Sequence, residues 1–249
     1  MDVRVQSVGP TEPFRSARDL FETEYDLDRP VEVHVREDPD ERTWTNHEDD
    51  HHNLFISRQA ATSAMARELA LHEYAHMHRN EQGHPSHTQS TEEVLYLALS
   101  GRSVERRKLA HCYQIANHMK DIYADDITLS VAPADKLISF LESGLAAALA
   151  DQPVDRTGGT RWTSAADPEI TAVNAAFALA LVERHDLIGR EHRLYDLAHA
   201  AAADAPAISL DTFKHYFRSL ARDPGESEYR KTLVDVTREY AIDTGQAAD

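Results

Sequence analysis

The sequence predicts an α+β protein, mostly helical, with a small N-terminal sheet and a helical bundle toward the C-terminus. Three observations carry this. Val31, Val33 and Val35 alternate with polar residues in "PVEVHVRE", the pattern of a half-buried strand. "NLFISR", from Asn53 to Arg58, is a short apolar run suited to a second strand. Everything after it reads as helices separated by capping, Gly and Pro signals.

Taken in order, "FRSARDLFETEY" has helical spacing, with Phe14, Leu20 and Phe21 near one face. The polar stretch "EDPDERTWTNHEDDHHN" has no periodicity and predicts a long loop between the two strands. One helix is expected from about Gln59 to about Arg79, followed by the Gly/Pro-punctuated loop "NEQGHPSHTQ". Ser90-Thr91-Glu92-Glu93 reads as a capping box opening a short helix that "LSGRS" ends. A long helix from Ser103 to about Leu129 stops before Pro133. Further helices are expected over 134–150, 168–184, about 190–203, 210–222 and 226–241, the second opened by Asp167-Pro168 as N-cap and first residue. The linker-like "DQPVDRTGGTRWTS" suggests a boundary near 151–163. That divides the chain into an N-terminal domain over 1–150 and a helical region over 151–249 packed on it.

The charge narrows the setting. Asp and Glu number 43 against 26 Lys and Arg, a formal net charge of −17. Lysine occurs only at 108, 120, 136, 214 and 231. An acidic, lysine-poor surface suits a salt-rich, halophilic cytoplasm, where a Debye length of about 3 Å at molar salt mutes carboxylate repulsion. No basic stripe exists to neutralise phosphates, which argues against a nucleic-acid partner. Cys112 is the single cysteine, so no internal disulfide is possible. The N-terminus lacks the apolar core of a secretory signal, and no run approaches membrane-spanning length. The expectation is a cytoplasmic chain with no membrane partner.

The chemistry centres on "LALHEYAHMH", residues 69–78. His72 and His76 are four apart and share one helical face, so both rings can address one ion. Glu73, beside them, can hold a water and take its proton. A catalytic zinc site has three protein ligands and an open position, so a third ligand is needed from another element. In "NHMKDIYADDI", Gln114, His118, Asp121 and Asp125 form a polar stripe beside an apolar one of Cys112, Ile115, Met119 and Ile122. Glu92 and Glu93 are rivals, although both suit the start of a helix. Asp121, Asp125, Glu92, Glu93 and His118 all stand as candidates for the third position.

The arrangement resembles the gluzincin type of zincin metallopeptidase. There a strand precedes the HExxH helix, and a later helix carries a carboxylate ligand followed four residues on by an aspartate. The resemblance covers roughly residues 31–130 and implies a zincin-like core. It casts "NLFIS" as the edge strand, His72 and His76 as zinc ligands and Glu73 as general base. It makes Asp121 the third ligand and Asp125 the partner that orients His72. Here the ligand is Asp rather than Glu, and its shorter arm leaves Asp121 and Asp125 interchangeable. The chain as a whole is similar to an uncharacterised haloarchaeal family of such proteins. The function implied is a zinc-dependent hydrolase, an intracellular metallopeptidase acting on a peptide or protein substrate. The alternative is a non-catalytic protein with a structural or regulatory zinc.

Other clusters read more plainly. "NHEDDHHN" suits a solvated loop better than a second metal site. His192, Tyr195 and His199 share a helical face and suit a surface or packing role. His118 is the better catalytic candidate, a donor to developing negative charge, because it projects beside Asp121. Cys112 suits a buried small apolar position, and Arg106 and Arg107 suit pairing with carboxylates.

Overall fold

A computed structural model describes residues 1–6, 8–39, 41–151 and 167–242. Strands β1 (Val3–Val5), β2 (Val31–Arg36), β3 (Trp44–His47) and β4 (His52–Ser57) form one sheet in the order β1-β2-β4-β3. β1 and β4 run parallel to β2, and β3 runs antiparallel to β4. The valine alternation sets the register. Val31, Val33 and Val35 stand opposite His52, Leu54 and Ile56, and all six are buried. The fold is therefore α+β, with a small N-terminal mixed sheet and helices beyond it.

Two strands depart from the sequence reading. β1 is too short to show a period. β3 lies inside the stretch expected as a loop and is an edge strand, while the "NLFIS" strand β4 is interior, between β2 and β3. Trp44 and Asn46 are exposed and Thr45 and His47 only half-buried, so β3 carries no apolar alternation to detect. Its pairing with β4 makes it a strand.

Helix α1 (Glu12–Phe21) begins with Pro13 in its first turn and buries Phe14, Ala17 and Phe21. Each phenylalanine contributes about 1.5–3 kcal/mol by leaving water. The expected helix from Gln59 is two helices, α2 (Arg58–Ala61) and α3 (Ala66–Glu81). Ser57 caps α2 by accepting the Ala60 N–H at 3.1 Å. At the break the Thr62 N–H still reaches the Arg58 carbonyl (3.1 Å), but the Ser63 N–H turns to the Ala60 carbonyl (3.1 Å) instead of Gln59, and the α-helical ladder stops there. The Thr62 and Ser63 hydroxyls share the same two carbonyls at 2.9 and 2.8 Å. α3 packs on α1, where the buried Tyr74 hydroxyl donates to the Phe14 carbonyl at 3.1 Å.

α3 ends at Gln82, and Gly83, at φ +65°, supplies the left-handed residue that turns the chain. The following segment, expected as a loop, contains the single turn α4 (Pro85–Thr88). Then come α5 (Thr91–Leu99), α6 (Arg106–Val131), α7 (Asp135–Ala150), α8 (Pro168–Arg184), α9 (Arg193–Asp204), α10 (Leu210–Arg218) and α11 (Glu226–Ala241). Asp167 caps α8 by accepting the Glu169 N–H, with Pro168 at the first helical position. α10 is shorter than its expected 210–222. The linker-like 151–163 stretch lies, beyond Asp151, outside the described residues.

The chain forms two compact units, each of two segments: Met1–Thr88 with Lys120–Lys136, and Gln89–Met119 with Leu137–Asp249. The first holds the sheet, α1–α4 and the second half of α6. Its core includes Phe21, Val33, Ile56, Leu71, Tyr74 and Met77. The second is helical, and α8, apolar on all sides and almost wholly buried, is its central element. Among the described residues, no helix is long and apolar enough to cross a membrane.

Candidate metal centre

Within the first unit, α3 and the second half of α6 bring together the side chains of interest. His72 and His76 lie one turn apart on α3, and their Nε2 atoms are 3.0 Å apart. Asp121 Oδ1, from α6, is 3.7 Å from His72 Nε2 and 3.4 Å from His76 Nε2. These three donors form one compact, half-buried group. A tetrahedral ion with ligand bonds of about 2.0–2.1 Å holds its donors about 3.3 Å apart. The three separations bracket that value. Two imidazoles and a carboxylate, at these spacings, could together hold a metal ion.

Asp125, one turn beyond Asp121, is buried, and its Oδ1 accepts from His72 Nδ1 at 2.8 Å. The two aspartates therefore stand in different places: Asp121 beside the Nε2 atoms, Asp125 behind His72. Burial lowers the affinity of His72 for a second proton, but Asp125 and Asp121 outweigh it and hold His72 well above the ordinary imidazole range.

Glu73 is buried, at 7% exposure. Burial pushes its carboxyl up, with Asp121 adding to the rise. His76, His72 and, least, Thr45 of β3 oppose that rise. The edge strand missed in the sequence thus bears on the charge of Glu73.

Behind His76 stands a group that sequence reasoning also missed. His76 Nδ1 is 2.7 Å from His87 Nε2, His87 Nδ1 is 2.7 Å from Ser86 Oγ, and Ser86 Oγ is 2.7 Å from His84 Nδ1. All three partners come from the "GHPSH" turn. Burial, with His76 and Lys120 adding to it, holds His87 well below the ordinary imidazole value. The available signal was two histidines three apart, just past the Gly that reverses the chain after the HExxH helix.

The other candidates have partners of their own. His118, on the first half of α6, is not in the ring-nitrogen group. Its Nε2 donates to Asn174 Oδ1 at 2.8 Å, and its ring stacks on Phe177 at 4.3 Å. Glu92 and Glu93 stand exposed at the start of α5, where Ser90 Oγ accepts the Glu93 N–H. In "NHEDDHHN", His47 and His52 share a hydrogen bond and His52 reaches Glu81 at 3.0 Å. Among the described residues no metal-competent group forms in that stretch. A second acidic group, His111 with Asp167 and Glu169, already has a cation: Arg107 bridges both carboxylates at 2.6 and 3.0 Å. Cys112 is fully buried, and burial pushes its thiol up to about 12.

Fold and site together define a mostly helical α+β protein with a candidate His/Asp metal centre. The chain belongs to the family described as "Family of unknown function (DUF5781)", whose family model matches residues 1–242. Comparison with curated proteins and with solved structures gave no match.

Proposed function

We propose that this protein is a zinc-dependent hydrolase of the zincin kind, a metallopeptidase acting on a peptide or protein substrate. His72, His76 and Asp121 would hold the ion, and Glu73 would be the general base. The observation that carries this reading is the spacing of the three donor atoms, 3.0, 3.4 and 3.7 Å, with Glu73 buried among the same side chains. Three protein donors leave a position open, as hydrolysis requires and a closed structural site does not. Zinc, when bound, supplies Lewis acidity toward a carbonyl and toward water.

The chain's own residues supply the proton chemistry. Glu73 takes the proton of the attacking water and delivers it to the leaving amine. Its burial favours the protonated form, so the carboxyl can both accept and give a proton nearer neutrality than an exposed glutamate. Thr45, on β3, favours the ionised form of the same carboxyl. Asp125 holds the His72 ring in the tautomer that leaves Nε2 facing Asp121 and His76.

The test pairs metal content with hydrolysis. Wild type should purify with about one zinc per chain, and His72→Ala and Asp121→Ala should each lose most of it. Glu73→Gln should keep the zinc and lose cleavage of a broad mixture of short and unfolded peptides. Wild-type protein that binds no zinc when it is offered would remove the site. Zinc retained by wild type without any cleavage that Glu73→Gln abolishes would leave a structural or regulatory metal.

A further inference from the structure

His76 lacks the carboxylate partner that His72 has in Asp125. Its Nδ1 meets a neutral ring instead, and what decides which nitrogen holds the proton lies three groups away. The Ser86 backbone N–H points at His84 Nδ1 at 3.3 Å. A backbone amide can only donate, so His84 Nδ1 is an acceptor. The Ser86 hydroxyl, 2.7 Å from the same nitrogen, must then also donate to it. That uses the only hydroxyl proton, so Ser86 Oγ accepts from His87 Nδ1–H at 2.7 Å. His87, protonated on Nδ1, presents a bare Nε2 and accepts from His76 Nδ1–H at 2.7 Å. His76 is left with its lone pair on Nε2, the atom 3.4 Å from Asp121.

The reverse order fails at one point. A proton on His87 Nε2 would put the His76 proton on Nε2, where it would block a metal. It would also turn the Ser86 hydroxyl toward His87 and leave Ser86 Oγ facing His84 Nδ1 lone pair to lone pair at 2.7 Å. The backbone of the turn excludes that arrangement. His84 is itself held, because its carbonyl accepts from the His87 and Thr88 N–H groups at 2.9 and 3.2 Å and its ring packs on Tyr123 at 4.5 Å.

We propose that the His84–Ser86–His87 turn is a tautomer-setting relay that prepares His76 as a metal ligand, with His87 as the positioning residue. The proposal rests on the metal-site reading above and adds to it that the second histidine is oriented by a neutral chain anchored on a backbone amide. The site thus has two unlike supports. A charged carboxylate fixes one imidazole, and a directional string of uncharged hydrogen bonds fixes the other.

The relay can be read without any metal. In metal-free wild-type protein, ¹⁵N NMR of the histidine rings should show His76 and His87 each protonated on Nδ1, with Nε2 unprotonated in His76. A second arm measures zinc affinity by competition with a chromophoric chelator. His87→Leu should bind zinc about 10- to 100-fold more weakly than wild type, the usual loss when a ligand's outer partner is removed. His87→Gln, whose side-chain oxygen can accept from His76, should recover to within about threefold. A His76 proton on Nε2 would overturn the relay. So would His87→Leu binding zinc as well as wild type, or His87→Gln failing as badly as His87→Leu, which would mark a packing role only. If wild type takes up no zinc, the metal-site reading falls, and the ring tautomers still decide the relay.

Discussion

Asp125 accepts from His72 Nδ1 at 2.8 Å, while Asp121, one turn earlier on the same helix, reaches the opposite nitrogen of the same ring at 3.7 Å. One imidazole is thus gripped from both sides by a single helix face. The i, i+4 spacing that brings two histidines together on α3 recurs as two aspartates on α6.

Replacing Asp125 tests the rear grip. Asp125→Asn keeps the shape but removes the charge, so zinc affinity should fall about 10- to 100-fold. Excess zinc should restore full occupancy, because the three donors are untouched. Asp121→Asn should not recover in this way. Equal zinc titrations of Asp125→Asn and wild type would count against the assignment.

Metal uptake should depend on pH with a definite sign. Burial disfavours the charged His72 ring, yet Asp125 and Asp121 hold its pKa well above the ordinary value. Below that raised value, Nε2 carries a proton that must leave before an ion can bind. Zinc affinity should therefore rise with pH while His72 titrates, up to about tenfold per unit, and then level off. The metal-free protein runs the other way. Stabilisation from charged His72 is full below the unfolded value near 6.5 and is lost as pH rises through the raised folded value. Calorimetry in buffers of different ionisation heat should register proton release on binding at pH 7. Its absence would contradict the sign.

The acidic surface predicts salt-dependent stability. With a formal charge of −17, the midpoint of thermal unfolding should climb from low to molar salt as carboxylate repulsion is screened. A flat or falling midpoint would remove the halophilic reading.

Cys112 should be inert in the native state. It is fully buried and its thiol is pushed up to about 12, so at pH 8 almost no thiolate exists to react. A thiol-reactive chromophore should label it only under unfolding conditions. Fast labelling of folded protein would show that the α6 packing opens readily.

What was legible in the sequence follows the range of the physics. The HExxH pair and the Asp121/Asp125 pair are local helical geometry, and spacing alone puts each pair on one face. The division of roles between the aspartates is a product of packing α6 on α3, which no single-chain periodicity encodes. β3 escaped because an edge strand of Trp44, Thr45, Asn46 and His47 has no apolar face to announce it. The α2–α3 break falls at Thr62 and Ser63, where the Ser63 N–H bonds Ala60 rather than Gln59, a switch that a helical residue pattern does not announce. His118 reads as a site residue on a helical wheel because it shares the stripe of Asp121. Its hydrogen bond to Asn174, far along the chain, is invisible there.

The first unit is assembled from Met1–Thr88 and Lys120–Lys136, with Gln89–Met119 intervening. His76 and Asp121 therefore belong to chain segments that meet only after the intervening stretch has been synthesised. A fragment ending at residue 88, though it contains the whole HExxH helix, lacks Asp121 and Asp125 and should have little affinity for zinc. In the full chain, an ion across His72, His76 and Asp121 would tie the two segments as a crosslink does, shrinking the loop available to the unfolded chain. On that account, removal of metal should loosen the hold of α6 on α3 first, and the hydrogen-exchange protection of residues 120–131 is where the loosening should be recorded.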